Sequence, residues 1–156
     1  MTATASATTA TAQHELVITR TFDAPRALVF RAWAKAEHMV RWLGPKKFTA
    51  PSCTLDFRPG GAYRACICAP DGKEYWMRGT YREIVEPERL VFTFAWEEEG
   101  ERGRETIISI TLAEDGTRTR MTFRQAFFES VTERDSHNEG WSECFDRLVQ
   151  YLAGER

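Results

Sequence analysis

The sequence lacks the long apolar segments and the excess of one charge that would assign it to a membrane or to nucleic acid. No apolar run reaches the roughly 18–20 residues of a membrane span. The 21 Lys and Arg side chains face 23 Asp and Glu, a formal net charge of -2, so no general basic field attracts a phosphate backbone. We therefore expect no membrane span and no nucleic-acid partner.

Motifs for metals and cofactors are also missing. The chain has four cysteines, but Cys66 and Cys68 form a C-x-C pair on a predicted strand, which lacks the loop geometry of zinc sites. A role as small buried apolar side chains accounts for them better. No phosphate loop, nucleophile elbow or H-E-x-x-H sequence occurs. The sequence thus predicts no metal and no cofactor.

Residues 1–13, MTATASATTATAQ, have neither the basic stretch nor the apolar stretch of a secretory signal. We expect a disordered tail here, because the segment offers little surface to bury. Residues 14–156 are predicted to form a single domain, which is an ordinary size for one core. Without an export signal, a cytoplasmic location with reduced thiols is expected.

The N-terminal part of the domain is predicted to contain one strand and two short helices. Alternating β-branched residues indicate a strand over Glu15–Phe22. Pro25 then marks a helix start, and apolar residues recur at helical spacing after it. A second short helix is predicted over Glu37–Leu43, and Gly44 with the following proline ends it.

From Ser52 onward the apolar pattern changes to period two, and Gly, Pro and Asp-Gly turns divide it into six strands. A long helix follows, with a capping box at Ser130–Glu133. Its apolar stripe is formed by His137, Trp141, Cys144, Phe145, Leu148, Tyr151 and Leu152. Consecutive hairpins favour an α+β fold with a curved antiparallel sheet of about seven strands, in the order β-α-α-β6-α.

Six short motifs carry a resemblance to a known family. They are AP-x(3)-VF (24–30), RWLGP (41–45), DFRPGGAYR (56–64), PDGKEY (70–75), EPERLVFTF (86–94) and H-x-x-GW (137–141). In this order they resemble the activator of Hsp90 ATPase homologue-like family of the START-like, or SRPBCC, superfamily, over about residues 15–153. The resemblance implies a helix-grip fold, in which the sheet wraps a C-terminal helix with a cavity between them. Such domains bind lipids, sterols or polyketides, and some are cyclases or hydrolases.

Gly140 and Trp141 are the residues that most favour a cavity. A glycine inside a helix costs roughly 1 kcal/mol relative to alanine, but it removes volume beside a large indole. The predicted ligand-binding residues are Trp141, Phe145, Phe92, Phe94, Phe123, Trp76, Tyr63, Met121, His137 and Gly140. The alternative interpretation is that Gly140 allows tight helix–sheet packing and that the aromatic residues fill a solid core.

Three functional hypotheses follow. The first is binding of a small apolar or aromatic molecule without catalysis. The second is a polyketide cyclase or hydrolase-like enzyme in which His137, Tyr63 or Arg64 handles protons, although exposure to solvent is the alternative for each. The third is a co-chaperone-type interaction module with an exposed apolar patch near Trp42 and Leu43.

The family resemblance also bears on partners. It implies a link to the stress response and to Hsp90, but the activators that name the family contact the chaperone through a separate N-terminal domain. This chain has only residues 1–13 in that place. We therefore expect a small hydrophobic molecule, rather than Hsp90, as the partner of a monomer or homodimer.

Overall fold

The structure, a computed structural model, describes residues 14–154, so the predicted tail at 1–13 lies outside the described residues. The strands are β1 (Glu15–Phe22), β2 (Thr49–Leu55), β3 (Ala62–Cys68), β4 (Glu74–Val85), β5 (Arg89–Trp96), β6 (Thr106–Asp115) and β7 (Arg118–Ala126). The helices are α1 (Arg26–Ala34), α2 (Ala36–Met39) and α3 (Val131–Gly154). This order confirms the predicted β-α-α-β6-α arrangement.

All seven strands belong to one antiparallel sheet with the order β1-β7-β6-β5-β4-β3-β2. Strands β2 to β7 are joined in sequence, whereas β1 pairs with the last strand, from Glu15 opposite Ala126 to Phe22 opposite Thr119. The β4–β5 register shifts between Tyr81 and Glu83, and such irregularities bend a sheet. The predicted α+β fold with a curved sheet is therefore confirmed.

Helix α2 ends at Met39, earlier than the predicted end at Leu43. Beyond it, the backbone N–H groups of Arg41 and Trp42 bond to carbonyls three residues back instead of four, which tightens the chain into turns. The Trp42 indole donates to the carbonyl oxygen of Ala32 at 3.1 Å. This contact with α1 holds the segment in a conformation that its own periodicity does not indicate.

Helix α3 begins as predicted, because the Ser130 hydroxyl oxygen accepts a hydrogen bond from the backbone N–H of Glu133 at 3.1 Å. Its C-terminal half packs tightly, and Phe145, Leu148 and Leu152 are at most 2% exposed. None of the helices within residues 14–154 combines the length and the hydrophobicity that a bilayer crossing requires.

Trp33 on α1 lies at the centre of the core. Its ring centroid is 4.7 Å from that of Trp42, 6.0 Å from that of Phe145 and 6.1 Å from that of Trp141. Aromatic pairs at these distances attract each other beyond the area that they bury. Helix α1 is thus packed directly against α3 and the sheet.

A buried chain of hydrogen bonds ties α3 to three strands. The Trp141 indole donates to the Gln125 side-chain oxygen at 2.9 Å, and the Gln125 amide donates to the Thr106 hydroxyl at 2.9 Å. The Thr106 hydroxyl donates in turn to the carbonyl oxygen of Phe94 at 3.0 Å. Because every link has a partner, the chain positions Trp141 without leaving a buried polar group unpaired.

We expect Gln125→Leu to destabilise the protein by roughly 1–3 kcal/mol, because it leaves the buried Trp141 N–H without its acceptor. The matched control is Gln150→Leu, since Gln150 is exposed on α3, and its effect should stay within about 0.5 kcal/mol. Urea unfolding of both variants measures the difference. Equal stabilities would show that the buried chain does not hold α3 in place.

Candidate functional site

A cavity of about 450 Å³ lies under the N-terminal half of α3. We call it the main cavity. The helix contributes Ser136, His137, Gly140, Trp141 and Cys144, and the segment before β2 contributes Leu43, Gly44, Pro45 and Phe48. The strands contribute Ile67, Tyr75, Met77, Phe94 and Trp96, and the loops contribute Lys73, Glu98 and Arg102. The helix therefore does not pack solidly on the sheet along its whole length.

Gly140 contributes to this cavity by leaving space. A Cβ atom built on Gly140 would meet only Pro45, with its Cγ at 3.8 Å, an ordinary van der Waals distance. The alternative interpretation of Gly140, tight helix–sheet packing, is therefore not supported. The glycine widens the gap between α3 and the 43–48 segment.

His137 is buried in the cavity wall, with 8% of its surface exposed. Its Nε2 accepts a hydrogen bond from the Trp96 indole at 3.0 Å. An indole nitrogen can only donate, so Nε2 carries the lone pair and the proton of the neutral ring is on Nδ1. The imidazole thus serves as the acceptor that satisfies Trp96.

Burial, together with the positive charge of Arg102, lowers the pKa of His137 from 6.5 to about 4. Glu133 Oε1 lies 3.2 Å from Nε2 and would favour the charged ring. The same oxygen is 3.6 Å from Arg102 Nη1, however, which compensates its charge. Burial therefore dominates, and the ring is neutral at pH 7.

Charged side chains occur at the rim of the main cavity. The Arg102 guanidinium lies 4.9 Å from the Trp96 ring centroid, and its Nε is 3.2 Å from both carboxylate oxygens of Glu98. The Lys73 ammonium is 5.2 Å from the Tyr75 ring centroid and has no ion pair among the described residues. The rim therefore offers one ammonium group to a polar end of a ligand.

Four of the predicted site residues line the main cavity: Phe94, His137, Gly140 and Trp141. Tyr63 and Phe92 lie deeper, around a small space of about 20 Å³ that we call the inner pocket. The remaining four are Met121, Phe123, Phe145 and Trp76. None of these four lines either space.

Met121, Phe123 and Phe145 are fully buried, so they belong to the solid core behind the cavity. Trp76 lies on the opposite face of the sheet, where the Arg64 guanidinium covers its ring at 3.9 Å. The reason is strand alternation, because Tyr75 and Met77 point into the cavity and the residue between them must point away.

Sequence reasoning missed several cavity residues. Phe48 and Pro45 come from the segment before β2, whose path across the cavity depends on tertiary packing. The positions of Tyr75, Met77 and Trp96 could have been predicted from the sequence, because side chains two residues apart on a strand point to the same face of the sheet. Trp96 in particular shares the face of the predicted Phe94.

The groups proposed for an enzymatic role do not converge. The Tyr63 hydroxyl donates to the carbonyl oxygen of Thr93 at 2.7 Å, and burial raises the pKa of Tyr63 well above its usual range. Arg64 is exposed and pairs with Glu97, Nε to Oε2 at 2.7 Å. His137 alone reaches the main cavity, so the three do not form one acid–base site.

The apolar patch expected for an interaction module is not exposed. Trp42 is 0% and Leu43 is 3% exposed, so that expectation is wrong. Trp42 and Leu43 of the RWLGP motif pack into the core, and Leu43, Gly44 and Pro45 form one wall of the main cavity. Among the described residues, no group of three or more His, Cys, Asp or Glu side chains is arranged to hold a metal ion.

A second depression, of about 530 Å³, lies on the outer face of the sheet and is lined by Arg64, Arg78, Glu97 and Glu105, among others. These charged side chains are largely solvated and Arg64 is already paired with Glu97. Ligand sites are mostly apolar with few polar groups. The main cavity fits this description better than the outer depression does.

A curved antiparallel sheet around a long C-terminal helix is the helix-grip fold of START-like proteins. Residues 23–153 match the family described as Activator of Hsp90 ATPase homolog 1-like protein, and the chain belongs to this family. The match confirms the resemblance seen in the six motifs. A comparison with curated proteins found no match.

Solved structures share the fold over nearly the whole chain. A protein of Nitrosomonas europaea is 25% identical, with 92% of this chain and 97% of its own covered and a TM-score of 0.78. The AHSA1 protein of Silicibacter pomeroyi is 21% identical, with 91% and 99% covered and a TM-score of 0.81. CalU16 of Micromonospora echinospora is 21% identical, with 90% and 77% covered and a TM-score of 0.67.

The free energy of unfolding should depend on pH through His137. The ring titrates at 6.5 when unfolded and at about 4 when folded, so the unfolded state binds more protons between these values. The contribution of a neutral His137 to the free energy of unfolding is therefore fully present above pH 6.5. It is lost as the pH falls towards 4, by up to roughly 3 kcal/mol.

Urea unfolding at several pH values between 7.5 and 4 tests this dependence against His137→Gln, whose amide oxygen can still accept from Trp96. The variant should resemble the wild type at pH 7.5 and lose less stability on acidification, because its amide takes up no proton. Parallel pH profiles for the two proteins would contradict the assignment.

Proposed function

We propose that this protein binds a small apolar or aromatic molecule, such as a lipid or a polyketide, in the main cavity. The observation that carries the proposal is the gap of about 450 Å³ between α3 and the sheet, which lies within the usual range for ligand sites. Aromatic and aliphatic side chains form most of its wall, and transfer of an apolar surface from water into it is favourable.

The size of the cavity sets the affinity that burial can supply. An aromatic ligand that buries about 200 Å² of apolar surface gains about 5 kcal/mol before the cost of association. Burial alone therefore supports only modest affinity. The rim ammonium of Lys73 and the polar groups inside the wall would set the orientation of the ligand.

The role of Gly140 supports the same proposal. In an exposed helix, glycine costs about 1 kcal/mol relative to alanine, and no neighbour approaches Gly140 closely enough to require it for packing. A glycine that weakens the helix and relieves no steric conflict is consistent with a role in keeping the main cavity open. The space beside Gly140 supports a role for this glycine in the cavity.

Substitutions at Gly140 test the proposal. We expect Gly140→Leu to weaken binding of 1-decanol at least about tenfold, because the added side chain fills the gap towards Pro45. The matched control Gly140→Ala should bind within about threefold of the wild type and unfold with up to about 1 kcal/mol more free energy. Trp96 and Trp141 line the cavity, so tryptophan fluorescence reports the titration.

A broad panel of fatty alcohols, sterols and aromatic polyketides extends the test, together with mass spectrometry of small molecules that co-purify with the protein. If no member of this panel changes the tryptophan fluorescence, the proposal is contradicted. Equal affinities of Gly140→Leu and Gly140→Ala would place any binding outside the main cavity.

A further inference from the structure

The inner pocket of about 20 Å³ is adjacent to the main cavity. Four residues line both spaces, namely Leu43, Met77, Phe94 and Trp141. They form the boundary between the two spaces. A ligand in the main cavity therefore lies against the side chains that separate it from the inner pocket.

One residue in the wall of the inner pocket carries an unsatisfied hydrogen-bond donor. Trp33 lines this pocket and is 2% exposed, and its buried indole Nε1 has no hydrogen-bond partner. By contrast, the Tyr63 hydroxyl in the same wall donates to Thr93, and the Trp141 indole donates to Gln125. The fold thus satisfies the neighbouring donors and leaves this one open.

An unpaired buried N–H is unfavourable, and such groups in native proteins call for a specific explanation. The neighbouring Trp42 shows that the core can provide an acceptor, since its indole donates to the Ala32 carbonyl at 3.1 Å. Trp33 lies 4.7 Å from Trp42, measured between ring centroids. A ligand that brings an acceptor would remove the deficit at Trp33.

The inner pocket holds little more than one water-sized group at rest, but two of its wall residues are methionines, Met39 and Met77. Methionine is unbranched and adapts readily to irregular volumes. Rotation of these side chains can admit a group of two or three atoms. A carbonyl group meets that size limit, whereas a ring does not.

We propose that the ligand of this protein has an apolar body in the main cavity and a terminal neutral acceptor, such as a ketone, aldehyde or ester oxygen, that accepts a hydrogen bond from Trp33 Nε1. This inference rests on the proposed function. A carboxylate does not fit, because the inner pocket is lined by no cationic side chain and a single N–H does not replace the hydration of an anion. The acceptor is therefore uncharged.

Two probes of nearly equal shape test the proposal, 2-acetylnaphthalene and 2-ethylnaphthalene. Only the first has an acceptor, and calorimetry gives the ratio of their dissociation constants. We expect Trp33→Phe to shift this ratio about fivefold against the ketone relative to wild type, which corresponds to the roughly 1 kcal/mol of a net hydrogen bond. The ratio cancels the general effect of the substitution on the cavity.

Trp42→Phe is the matched control. The Trp42 indole already has a protein acceptor, and Trp42 lines neither the main cavity nor the inner pocket. It should leave the ratio unchanged. If Trp33→Phe does not fold, nuclear magnetic resonance of the wild type provides the readout. The indole proton of Trp33 should move downfield with the ketone and stay in place with the hydrocarbon.

The outcomes separate the two proposals. If both probes bind but the ratio and the Trp33 resonance do not respond to the acceptor, the acceptor proposal is overturned and ligand binding stands. Water in the inner pocket would then satisfy the indole. If neither probe binds to the wild-type protein although members of the wider panel do, the acceptor proposal is overturned and ligand binding stands. If the whole panel also fails to bind, the proposed function fails and the acceptor proposal fails with it.

Discussion

The hydrogen bonds that run from Trp141 through Gln125 and Thr106 to the carbonyl of Phe94 determine where α3 lies relative to the sheet. Loss of a hydrogen bond in a dry interior is costly, so this chain opposes movement of the Trp141 indole away from Gln125 or further into the core. Beyond Cys144, which still lines the main cavity, the apolar face of α3 is buried in the core. Before it, the helix stands over the main cavity. These hydrogen bonds thus limit how closely α3 approaches the sheet.

The cavity that results is apolar, with a few polar groups at different depths. Lys73 and the Glu98–Arg102 pair lie at the rim, and the neutral His137 ring accepts a hydrogen bond from the Trp96 indole. Trp33, whose buried N–H has no partner, lines the inner pocket. Because His137 is neutral and already engaged, the interior favours uncharged ligand groups. This arrangement is consistent with the proposed binding of an apolar molecule.

Much of the architecture follows from local pattern. The alternation in Glu15–Phe22 predicts β1 with its observed bounds, and the capping box predicts the start of α3. Period-two stretches and turn residues yield the other six strands, because a hairpin needs only nearby residues to form. The end of α2 does not follow in this way. It depends on the bond between Trp42 and the Ala32 carbonyl of α1, a contact between two elements.

The order of the elements, the alternation of apolar residues along each strand and the position of a glycine beside Trp141 all follow from the sequence. The face of Trp76 could also have been read from strand alternation. Only the tertiary structure decided which aromatic residues line a void, since Phe94 and Phe123 both lie on inward faces and only Phe94 reaches the main cavity. The physical reason is that a cavity is the volume left between side chains from distant segments, and no single segment encodes it.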